Sequence, residues 1–120
     1  MTGRYENQHA LLPITIRVAE QSDLDIEFVI DTGFGGDLTL PLTAVTALGL
    51  PYDRSLKANL ADDSVVELAV HAATILWHGS ERAVDVLATG ARPLLGMNLL
   101  AGSELVVQCA DGGLVMADEL

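Results

Sequence analysis

The sequence predicts an all-β fold of antiparallel strands, a barrel or sandwich, carrying one or two short helices. Three observations lead there. Apolar and polar residues alternate at period two through much of the chain, turn-forming residues interrupt it at short intervals, and no helix follows each strand in the rhythm of a parallel α/β sheet. The 120 residues fit a single domain, 1–120, and half of them are hydrophobic but only 4% aromatic, so the core is expected to be Val, Leu, Ile and Ala.

In chain order, "LPITIRVA" sets Ile14, Ile16 and Val18 against Thr15 and Arg17, a strand with one wet face. "EQSD" turns the chain. Leu24 to Ile30 alternates again, with Ile26, Phe28 and Ile30 on one face and Asp25, Glu27, Val29 and then Asp31 on the other, which makes the pair a hairpin. "DLTL" is a further strand. "PLTAVTALGL" reads as a short helix, with Pro41 near its first turn, Leu42, Val45 and Leu48 on one side and Gly49 ending it. Residues 56–78 form a long hairpin about the turn Ala61-Asp62-Asp63-Ser64. "ERAVDVLA" is one more strand, "TGARP" a loop, "GMNLLAG" one or two helical turns, and "ELVVQCADGGLVMA" a last hairpin about Asp111-Gly112-Gly113. Leu94, Leu95, Leu99 and Leu100 are expected in the core and Trp77 in the core or at an interface, and the polar ends "MTGRYENQ" and "MADEL" are expected to be loose.

Seventeen acids against six bases give a formal charge of −11, which repels nucleic acid and anionic lipid. Neither is expected as a partner. The one cysteine, Cys109, excludes an internal disulfide and reads as a small hydrophobe buried on a strand. "MTGRYENQHALLP" has no apolar leader, and no stretch approaches the ~18 apolar residues of a membrane span, so a cytoplasmic protein is expected.

"FVIDTGFGGDLTLP" carries the chemistry. A buried-looking run, Phe28-Val29-Ile30, ends in an acid, and an ionised carboxylate is costly against an apolar strand unless it faces water or is held by hydrogen bonds. Asp31 is therefore either a turn-forming acid bonded to its own backbone or a carboxylate presented for use. Gly33, Gly35 and Gly36 do not read as a phosphate cradle, because no Lys follows and no long helix begins there. His71 and His78, seven apart, point to opposite faces of a regular strand and make poor partners for one metal. No metal site is expected.

Together "FVIDTGFGGDLTLP", "LADDSVVEL" and "LLGMNLL", in this order, resemble the retropepsin-like aspartic proteases, and more closely their small single-domain members from bacteria and archaea. The resemblance spans about residues 12–118. It implies a closed, orthogonal β-barrel that works as a homodimer, since one Asp-Thr-Gly per chain supplies half a site. Asp31 would be the catalytic residue, meeting its twin across a two-fold axis. Thr32 would brace the paired loops, Gly33 would let the backbone approach the carboxylate, and Gly96 of Leu94-Leu95-Gly96 would pack behind the loop. The turn of Ala61, Asp62, Asp63 and Ser64 would be a flap over a peptide or protein substrate. Phe34, where relatives often have alanine, would line a substrate pocket or brace the dimer. Asp62 and Asp63 would raise the proton affinity of the pair or disfavour acidic peptides. Two carboxyls sharing a proton hydrolyse a peptide bond with no cofactor, one taking the proton of water and the other giving one to the carbonyl oxygen. The alternative is a peptide-binding or dimerisation module of the same fold without turnover.

Overall fold

The computed structural model describes residues 1–120, which build ten strands and two short helices. The strands are β1 (Thr2–Glu6), β2 (His9–Arg17), β3 (Leu24–Ile30), β4 (Leu38–Leu40), β5 (Tyr52–Asn59), β6 (Val65–Trp77), β7 (Ser80–Ala88), β8 (Leu94–Leu95), β9 (Ser103–Val107) and β10 (Leu114–Glu119). Helix α1 (Leu42–Leu48) lies between β4 and β5, and α2 (Met97–Leu100) between β8 and β9. No helix is long and apolar enough to cross a membrane.

All ten strands join one sheet, in the order β5-β6-β7-β4-β8-β3-β2-β1-β10-β9. A further pairing of β2 with β6, at Ile16↔Ile75 and Arg17↔Thr74, closes β2, β3, β8, β4, β7 and β6 into a ring. The period-two pattern fills that ring. Leu12, Ile14 and Ile16 of β2 are fully buried while Pro13 and Arg17 face water, and Phe28, Leu38, Ile75, Val86, Leu95 and Leu99 close on them. Each such side chain contributes about 1.5–3 kcal/mol of transfer free energy.

Two pairings depart from the antiparallel expectation. β3 runs parallel to β8, and β4 parallel to β7. The cause is β8, only two residues long, which inserts between β3 and β4 and pairs with both. β3 and β4 thus lie two strand spacings apart, roughly 10 Å. The connection from Asp31 to Asp37 has to cross the end of β8 to join them.

Other expectations are corrected locally. The polar ends are not loose: β1 pairs with β2 and β10, and β10 with β9, because backbone pairing needs no apolar side chain. Cys109 lies past the end of β9 and is exposed, not buried. In α1 the buried residue is Val45, whereas Leu42 in the first turn is 61% exposed. That helix ends where expected, at Gly49, whose φ of 64° lets its N–H reach the carbonyls of Val45 and Thr46. The long hairpin begins earlier than expected, at Tyr52 directly after Pro51. Trp77, Leu95, Leu99 and Leu100 are buried as expected, with Leu94 half-buried.

Candidate functional site

Strand alternation sends Asp31 outward. Phe28 faces the core, and Val29 and Asp31 take the opposite side of the pleat. The backbone here is tied to the segment around β8: Val29 N–H donates to Pro93 O and Asp31 N–H to Leu95 O, both at 2.9 Å. Beyond Asp31 the chain turns, with Phe34 N–H donating to Asp31 O at 3.1 Å and Gly33 N–H to Asp31 Oδ1 at 2.9 Å. Oδ2 accepts no hydrogen bond from the chain. The carboxylate is half-buried, while Thr32 and Gly33 are exposed.

The loop from Asp31 to Asp37 rides over Gly96. Gly96 N–H donates to Asp37 O at 2.8 Å, Met97 N–H to Phe34 O at 2.8 Å and Asn98 N–H to Gly36 O at 3.1 Å. The first amides of α2 have no partner within their own helix, so the loop's carbonyls fit them directly. The approach is close enough to require glycine: a Cβ on Gly96 would sit 2.3 Å from Gly36 O and 2.8 Å from Phe34 O. The Phe34 ring lies over Gly36 and Gly96 of its own chain, at distances of 2.6 Å from the position of either Cβ. It packs on the loop.

Three polar residues that the sequence reading left unassigned hold this arrangement. The Asp37 carboxylate accepts from Asn98 Nδ2 at 2.7 Å and from Asp85 N–H of β7 at 3.0 Å. Buried Thr39 accepts from Leu94 N–H at 3.1 Å and donates to Arg92 O at 3.4 Å. The available signal was an acid and a threonine in and beside a strand otherwise wholly apolar, since buried polar groups need partners.

The structure therefore brings Asp31, Thr32, Gly33, Phe34 and Gly96 into one cluster. It keeps Ala61, Asp62, Asp63 and Ser64 apart, at the exposed tip of the β5–β6 hairpin. That turn is held from within. Leu60 N–H donates to Ser64 O, Asp63 takes a φ of 64°, and Asp62 Oδ1 accepts from the Ser64 amide and hydroxyl. The Ser64 hydroxyl, with its amide second, pulls the Asp62 carboxyl below the usual aspartate range. The two histidines of β6 and its turn serve different partners, His71 the Leu50 carbonyl and His78 the Ser103 hydroxyl.

None of the three surface cavities of the chain is lined by Asp31. The largest, about 570 Å³, lies where β6 parts from β5 and joins β2, between Arg17, Leu50 and Ala73.

A ring of six strands, a two-residue strand inserted between β3 and β4, and an acidic loop crossing above it define a retropepsin-like all-β fold. Among solved structures, the chain is similar to a retropepsin-like aspartic protease from Rickettsia conorii, with a TM-score of 0.56 and 20% identity over 96% of this chain and 91% of that one. No protein-family model and no curated protein matches the sequence.

Proposed function

We propose that the chain is an aspartic endopeptidase acting as a homodimer, with the Asp31 carboxylates of two copies forming one hydrolytic site. The observation that carries this reading is a half-exposed carboxylate with an uncommitted Oδ2, on a loop braced from beneath by Gly96, in a retropepsin-like fold. One carboxyl cannot take a proton from water and give one to the carbonyl oxygen in the same step. Two carboxyls about 3 Å apart can, because they hold one proton between them.

In this scheme the ionised Asp31 draws a proton from a water, the protonated one donates to the peptide oxygen, and the roles reverse as the amine leaves. Thr32 braces the paired loops, Gly33 supplies the amide that orients Oδ1, and Phe34 stiffens the loop. The Ala61–Ser64 turn closes over the substrate. Peptides incubated from about pH 4 to 7 with the protein and its Asp31→Asn variant test the reading, which predicts cleavage by the first and none by the second. Equal rates for both would overturn it.

A second reading is a peptide-binding module of the same fold without turnover. It predicts retained peptides and no products.

A further inference from the structure

Only six lysines and arginines are present in this chain of net charge −11, and two of them share one cavity. It measures about 290 Å³ and is bordered by Arg4, Glu6, His9, Glu27, Val29 and Arg92. Arg4 is fully committed: Nε donates to Glu6, and both terminal nitrogens donate to Glu27 as a fork. Arg92 is not. It forms no ion pair with any carboxylate of the chain, and its Nη1 donates at 2.7 Å to His9 Nε2. A guanidinium has no acceptor, so Arg92 is the donor in this pair, and its Nε and Nη2 make no bond within the chain.

The position of this cation matters. Val29 precedes Asp31 by two residues on the same face of β3, roughly 7 Å along the strand. The Arg92 segment is fixed beside it, since Val29 N–H donates to Pro93 O and Arg92 O accepts from buried Thr39. The cavity thus opens one pleat from the candidate carboxylate.

We propose that this cavity receives an acidic side chain of a peptide bound at Asp31, its carboxylate taking the free edge of the Arg92 guanidinium. This rests on the peptidase reading and adds a substrate class to it: peptides with Glu or Asp within about two residues of the bond cleaved, the reach of one pleat in an extended chain. The overall negative charge opposes such peptides, as do Asp62 and Asp63 when the β5–β6 turn closes over the substrate, but at physiological salt these fields are screened beyond about 8 Å. A direct contact of guanidinium with carboxylate is screened less, the more so once the bound peptide covers it, and its two parallel hydrogen bonds fix the geometry.

The test uses peptide pairs that differ only by Glu or Gln, placed in turn at each of the two positions on either side of the scissile bond. Wild type is expected to favour Glu at one position by about tenfold in kcat/KM, the ratio falling to about one in Arg92→Gln and to an intermediate value in Arg92→Lys. No preference in wild type, or a preference that survives Arg92→Gln, overturns the proposal. So does an Arg92→Gln variant that slows both peptides equally and dissociates in sedimentation, which would assign the guanidinium to the subunit interface. Binding of the same pairs to the Asp31→Asn protein separates the two readings. Arg92-dependent binding of the Glu peptide, with no cleavage by wild type, upholds the cavity and sinks the peptidase; cleavage without discrimination does the reverse.

Discussion

The Asp37 carboxylate accepts from Asn98 Nδ2 at 2.7 Å, joining the acidic loop to α2, and its other oxygen accepts from Asp85 N–H of β7 at 3.0 Å. One side chain thus ties three separate segments around the candidate site. Asn98→Ala removes a hydrogen bond to a half-buried carboxylate, an expected loss of about 1–2 kcal/mol. Thermal unfolding should shift down by about 4–8 °C. Peptide cleavage, measured where the variant is still folded, should also fall, because the loop carrying Asp31 loses a tether.

Gly96→Ala tests the close crossing of loop and helix. The added Cβ meets backbone oxygens of Gly36 and Phe34, which cannot step aside as a flexible side chain would. A cost of about 3 kcal/mol or more is expected, enough to lower the yield of folded protein, with unfolding in urea as the measurement. Gly35→Ala is the control, since a Cβ there meets nothing within 4 Å.

The Asp62 turn has a predictable response to acid. Its carboxyl is held below the usual aspartate range by the Ser64 hydroxyl and amide, so the stabilisation is present above the unfolded-state value and is lost as pH falls through the folded one. A carbon-detected NMR titration should place the Asp62 midpoint lower than that of an ordinary aspartate. Ser64→Ala removes the larger cause and should move the midpoint back up; no movement would contradict the assignment.

Much of this fold was readable because alternation marks strands that are half wet. Ile14, Ile16, Phe28 and Ile75 alternate with exposed or partly exposed neighbours and are fully buried. The parallel pairings were not readable, because they depend on Leu94-Leu95, a strand too short to show any period. The termini misled for a different reason: β1 is held by backbone hydrogen bonds to β2 and β10, and nothing in the polarity of "MTGRYE" reports on that. Cys109 misled because the apolar run of Leu105, Val106 and Val107 stops just short of it.

At the site, the residue pattern alone left Asp31 open between a turn-forming acid and a presented carboxylate, and Gly33 and Gly96 were singled out only by the resemblance of their motifs to a family. Asp37, Asn98 and Thr39 could not be picked out. Their importance lies in partners 48 to 61 residues away, a relation that exists only once β8 has inserted between β3 and β4.

The most direct test of the central claim is activity in mixtures of wild type with Asp31→Asn protein, re-equilibrated at constant total concentration. If each site needs Asp31 from both copies, an equal mixture retains about a quarter of the wild-type rate, since only wild-type pairs work. A rate of about half, in simple proportion to the wild-type chain, would mean that each chain acts alone and would contradict the shared site.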